Sequence, residues 1–139
     1  MHFEELQSSK GQALKGPLLM TPQCFGDDRG WFYESWNRRS FDEAVCETVV
    51  FSQDNHSRSI KGVLRGLHYQ LAPEPQAKVV RATLGTIYDV AVDIRRNSPT
   101  YGAWVGAELS AENKRQLWIP EGFAHGFLCL LYTSPSPRD

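Results

Sequence analysis

An all-β architecture, a sandwich or a barrel, is what this sequence predicts, and three observations carry the expectation. Short segments rich in β-branched and aromatic residues recur along the chain, often alternating apolar with polar. Glycine, proline and asparagine signals separate them at the spacing of sheets joined by turns rather than of βαβ units. A single stretch carries a helix-start signal.

Taken in order, strands are expected at residues 31–36, 48–53, 60–70, 78–84, 86–94 and 103–109, and FLCLLY at 127–132 is strand-like. Turns are expected at Gly85, at Asn97-Ser98-Pro99 with Gly102, at 111–114 and at Pro120-Glu121-Gly122. The helix candidate starts at Ser40-Phe41-Asp42-Glu43, an S-x-x-E box in which Ser40 and Glu43 satisfy each other's free backbone N–H groups. Phe41 and Val45 then share one face of a brief helix.

A chain of 139 residues, 41% hydrophobic and 12% aromatic, has the length of one domain, and no repeat or linker divides residues 1–131. Such a chain buries roughly two-thirds of its unfolded surface. The final stretch, 132–139, reads differently: its two prolines cannot donate to a sheet ladder and TSPSPRD has no apolar residue to bury, so a non-native or truncated tail is expected there. Fifteen basic against sixteen acidic residues give a net charge of −1, which offers no global field for nucleic acid or an anionic membrane. No apolar run reaches spanning length and the N-terminus lacks the layout of a signal peptide, so a cytoplasmic protein is expected. Cys24, Cys46 and Cys129 are odd in number and widely spaced, and are read as reduced packing residues.

The chemistry concentrates in two places. In VLRGLHYQ, residues 63–70, Arg65 and His68 stand three apart and would face opposite sides of a regular strand. A bulge at the intervening Gly66 would turn both toward one cavity. Around them, Arg58, Lys61, Arg65, Lys78 and Arg81 face only Glu74, a local cationic excess suited to a small anion such as a diphosphate, or to the protected edge of a strand. In WIPEGFAHGF, residues 118–127, His125 follows the Pro120-Glu121-Gly122 turn between Phe123 and Phe127. A P-x-G-x-x-H segment supplies one ligand in metal-binding double-stranded β-barrels, where an H-x-H pair supplies two more. Here that pair reads His68-Tyr69-Gln70, which leaves a poor transition-metal set and favours histidines used for protons. Arg29 and Glu34 bracket Gly30-Trp31-Phe32-Tyr33, and Gln53-Asp54-Asn55 follows an apolar stretch. Turn chemistry and exposed strand faces account for these equally well.

Together, FGDDRGWFYES, FSQDNHSRS, GVLRGLHYQ, KVVRATLGTIYDVAVDIRRNSPTYG and LSAENKRQLWIPEGFAHGF resemble the dTDP-4-dehydrorhamnose 3,5-epimerase family over about residues 25–128. The resemblance implies a cupin-type double-stranded β-helix, or jelly-roll, barrel with one short helix and its C-terminal part missing. It also implies epimerisation of dTDP-4-dehydro-6-deoxy-glucose at C3 and C5, without a cofactor, by proton removal beside the 4-keto group. His68 would be the base and Lys78 would stabilise the enolate. Arg65, Gln53, Asp54, Asn55 and His125 would hold sugar and diphosphate, and Arg29 and Glu34 the nucleotide. A homodimer that exchanges its N-terminal strand is implied as well. The family continues after GFAHGF with a strand carrying a proton-donating tyrosine and then an acidic residue behind the base. This chain ends in LYTSPSPRD, and Tyr132 comes too early for that tyrosine. Asp89 and Asp93 are expected to serve structure rather than His68. A single-centre epimerase, a metal-dependent cupin and a nucleotide-sugar-binding barrel without turnover remain as alternatives.

Overall fold

The computed structural model describes residues 1–69 and 76–131. Among the described residues, ten strands and one helix form two four-stranded antiparallel sheets and a small two-stranded arm. The first sheet holds β1 (His2–Gln7), β2 (Ala13–Thr21), β9 (Gln116–Ile119) and β6 (Lys78–Arg81), in that order. The second holds β5 (Leu64–His68), β10 (Phe123–Leu131), β7 (Thr86–Asp93) and β8 (Trp104–Ser110). The arm is a hairpin of β3 (Cys24–Asp27) and β4 (Gly30–Tyr33), and the helix α1 covers Arg38–Val45.

Period-two alternation decides what each sheet buries. In β7 and β8, Asp89, Ala91, Asp93, Val105, Ala107 and Leu109 turn inward while Tyr88, Trp104 and Glu108 turn out. The facing sheet contributes Leu19, Leu117 and Ile119, and with Leu14 and Phe123 these residues make the core between the sheets. The pleat of the first sheet also buries its other face. Met20 and Trp118 point outward and are capped by Phe41 of α1, with Phe3, Leu18, Val45 and Val79 around them. Trp36, Phe51 and Trp118 pack on the Phe41 ring at 5.0–5.9 Å between centroids. This second core explains why β9 is buried at all four positions.

The expected all-β class and the strands at 86–94 and 103–109 are found within one residue of their ends. Other elements differ, each for an identifiable reason. The helix begins two residues before Ser40: Asn37 is its N-cap and accepts from the Ser40 backbone N–H at 3.1 Å, so Ser40 is the third residue of the first turn. Residues 48–53 form no strand, because Phe51 packs on the outer face of the first sheet and the Val49 N–H is taken by the Asp42 carboxylate. The strands expected at 31–36, 60–70 and 78–84 are trimmed to four or five residues, ending where loops begin; Gln70 lies outside the described residues, as does the tail at 132–139. All three cysteines are free, but Cys24 and Cys46 are exposed rather than packed. Cys46 instead closes α1 in the left-handed region at φ 61°. Among the described residues, no helix is long and apolar enough to cross a membrane.

Candidate active site

On their inward faces β5, β6, β7 and β10 carry the charged and imidazole groups His68, Lys78, Asp89 and His125. Residues opposite each other in an antiparallel pair share a face. Opposite His125 stand Ala91 on β7 and His68 on β5, and opposite Phe127 stand Asp89 and Arg65. The β5 register steps between these pairs, so Gly66 and Leu67 together oppose Gly126 alone. That is the bulge expected from the Arg65-Gly66-Leu67-His68 spacing, and it sets Arg65 and His68 on one face.

Two glycines make the bulge possible. A Cβ on Gly66 would stand 2.6 Å from the Gly126 Cα and 2.8 Å from the His125 carbonyl oxygen, and Gly66 has φ +118°. A Cβ on Gly126 would stand 2.8 Å from the Arg65 carbonyl oxygen. Both backbones therefore need a bare α-carbon where they cross.

The centre of the site is a buried pair. His125 Nε2 and Asp89 Oδ1 are 2.6 Å apart, and the Asp89 side chain has no exposure. Burial pushes the Asp89 carboxyl above its ordinary value, opposed by the hydrogen bond and charge of His125 and by the charge of Lys78. Asp89 Oδ2 is buried and has no hydrogen-bond partner among the described residues. Lys78 reaches this region from the opposite sheet: it pairs with Ile119 of the inner core and so faces inward. His68 is on the face that carries His125 but is exposed, since β5 is an edge strand. No three His, Cys, Asp or Glu side chains among the described residues cluster closely enough to hold a metal ion.

Arg65, on the same face as His68, donates its Nε to Ser59 Oγ at 2.8 Å. The other expected site residues lie elsewhere. Gln53 Nε2 donates to Asn55 Oδ1 at 3.2 Å on the exposed segment that also carries Asp54. Arg29 sits at the tip of the arm and is paired with Asp27 at 2.6 Å; Glu34 accepts from Asn37. Beside Arg29 the arm forms an open cavity of about 410 Å³ lined by Phe25, Asp27, Trp31 and Phe32. The cationic run expected to act as one patch is split by the pleat: Arg81 lies on the outer face, opposite Gln116, with its guanidinium 3.4 Å from the Tyr33 hydroxyl.

Asp89, expected from the sequence to serve structure rather than His68, is buried and bonded to His125. The alternation of TIYDVAVD marks a carboxylate at a core position, but its partner lies 36 residues away on β10. Asp93, on the same face, does serve structure. Burial disfavours its charge, yet hydrogen bonds from Arg95, Ser98 and Thr100 outweigh this and hold its carboxyl well below the usual carboxylate range.

Known proteins share this fold. The family model described as dTDP-4-dehydrorhamnose 3,5-epimerase matches residues 11–134. The chain belongs to the dTDP-4-dehydrorhamnose 3,5-epimerase family. It is 66% identical over 114 residues to the family member of Shigella flexneri and 64% identical over 118 residues to that of Pseudomonas aeruginosa, covering 82% and 85% of this chain. It spans 62% and 65% of the lengths of those two curated relatives. Among solved structures, a 3,5-epimerase from Legionella pneumophila in complex with dTDP-4-keto-L-rhamnose superposes with a TM-score of 0.83 at 49% identity, over 94% of this chain and 67% of that one. The Mycobacterium tuberculosis epimerase gives a TM-score of 0.87 at 38% identity, over 95% and 63%. These neighbours place the two-sheet core in the cupin-type jelly-roll class.

Proposed function

We propose that this chain epimerises dTDP-4-dehydro-6-deoxy-glucose at C3 and C5, giving dTDP-4-dehydro-L-rhamnose. What supports the reading is that strand register turns an imidazole, His68 on β5, and an ammonium group, Lys78 on β6, to the inward faces of opposite sheets. A 4-ketone acidifies the C–H bonds on both its flanking carbons, so no cofactor is needed. The His68 imidazole takes the proton, and the C–H electron pair moves into the enolate, whose oxygen Lys78 stabilises. A proton from solvent, added to the enolate carbon on the opposite face, inverts the centre, and the imidazolium at the exposed strand edge releases its own proton to water. The same cycle at the second carbon completes the reaction.

Binding follows the same placement. Arg65 and His125 flank the base, Gln53, Asp54 and Asn55 contribute polar contacts from the exposed segment, and Arg29 and Glu34 with the aromatic arm take the nucleotide. A homodimer exchanging its N-terminal strand and a cytoplasmic location belong to this reading. Its test is proton exchange in D₂O with the nucleotide sugar, read by NMR. Deuterium should enter at both carbons beside the ketone, and His68→Asn should abolish uptake while the melting temperature holds. Absence of exchange by the wild-type protein overturns the assignment.

A further inference from the structure

We propose that Asp89 is a positioning residue for this site: its carboxylate fixes the ring orientation and tautomer of His125, so that Nδ1 is the nitrogen His125 offers to a sugar hydroxyl. The inference deepens the epimerase reading and rests on it for the identity of the ligand. Its structural basis is independent.

Two carboxylates on the same face of β7 show the contrast. Asp93 has both oxygens bonded, Oδ1 by the Arg95 backbone N–H and Nε, and Oδ2 by Arg95 Nη2, Ser98 and Thr100. It clamps a turn and leaves no capacity unused. Asp89 has one bond, to His125 Nε2, and a second oxygen buried without a partner among the described residues. Buried carboxylates kept only for structure satisfy their oxygens, because an orphan acceptor forfeits its hydration for nothing. The residues beside Asp89 on its own sheet, Ala91 and Ala107, are apolar and small and offer its second oxygen no donor.

A carboxylate accepting at Nε2 requires the proton to sit on that nitrogen, which leaves the Nδ1 lone pair as the free acceptor of the neutral ring. Among the described residues, no hydrogen bond engages Nδ1. The charge of Lys78 acts on Asp89 from the opposite sheet and favours its anionic form, so the cation and the imidazole are organised by one carboxylate. An amide at position 89 would have nearly the same shape but could donate to Nε2 or accept from it, and the ring would no longer be held in one tautomer.

The test uses protein labelled with ¹⁵N-histidine. Wild-type His125 should show a pyrrole-like Nε2 and a pyridine-like Nδ1 near neutral pH. Asp89→Asn should give a mixture of tautomers, with KM for the nucleotide sugar raised about tenfold, or about 1.4 kcal/mol. A role confined to packing predicts the same tautomer and the same KM in the amide variant, and that result overturns the proposal. So does a wild-type spectrum with the proton on Nδ1, a measurement that stands even where the variant fails to fold. Because the spectrum needs no turnover, absence of exchange would count against the epimerase reading alone.

Discussion

Replacing Gly66 by alanine separates two costs that usually arrive together. The new Cβ would stand 2.6 Å from the Gly126 Cα, whereas carbon atoms in good contact lie about 3.5–4.0 Å apart, so β5 must move by roughly 1 Å from β10. The residue is also held at φ +118°, a conformation that costs a side chain of order 1–3 kcal/mol. Gly62 supplies the control for that second cost: it has φ +87° and nothing within 4 Å of its missing Cβ. Gly126 supplies the control for the first, since its Cβ would meet the Arg65 carbonyl oxygen at 2.8 Å with no positive φ. Overpacking costs about 1–3 kcal/mol, so Gly66→Ala should lose about 2–6 kcal/mol in urea unfolding, and Gly62→Ala about 1–3 kcal/mol. Because β5 carries His68, a displacement near 1 Å should also lower the deuterium-exchange rate by about 10²-fold in Gly66→Ala and Gly126→Ala but not in Gly62→Ala. If Gly66→Ala matched Gly62→Ala in both stability and exchange, the crossing of β5 and β10 would not be what places the base.

Three further outcomes are expected. Phe41→Ala should cost about 3–5 kcal/mol by denaturant unfolding, because the ring is fully buried under Trp36, Phe51 and Trp118, and Phe41→Leu should recover most of it. Asp93 is held well below its ordinary pKa, so the stability it contributes is full above the unfolded value, about pH 3.9, and is lost as pH falls from there through the folded value; the urea midpoints of wild type and Asp93→Asn should differ at pH 7, begin to approach each other only below about pH 4, and meet once pH is below the folded value. Arg65→Ala should weaken calorimetric binding of a nucleoside diphosphate by about tenfold and flatten its salt dependence, while Arg81→Ala, on the outer face, should leave both unchanged.

Local pattern already announced much of this protein. The alternation of TIYDVAVD and AWVGAEL specified β7 and β8, and the spacing of Arg65, Gly66 and His68 demanded a bulge that the β10 pairing contains. The same reading failed at Ser40, where Asn37 three residues earlier offered an equally good cap, and at 48–53, where β-branched and aromatic residues pack on the outside of a sheet without joining it. It also overlooked β1, β2 and β9, whose apolar positions serve two cores and therefore lack a clean alternation.

Strand periodicity, turn chemistry and the bulge are properties of neighbouring residues, and the chain by itself determined them. Which carboxylate meets which histidine was decided only by folding. Asp89 meets His125 because β7 and β10 are paired in one register, and Lys78 and Arg81 part company because the pleat turns residues three apart to opposite faces. Contacts between residues distant in sequence depend on sheet order and register, which local preferences do not encode.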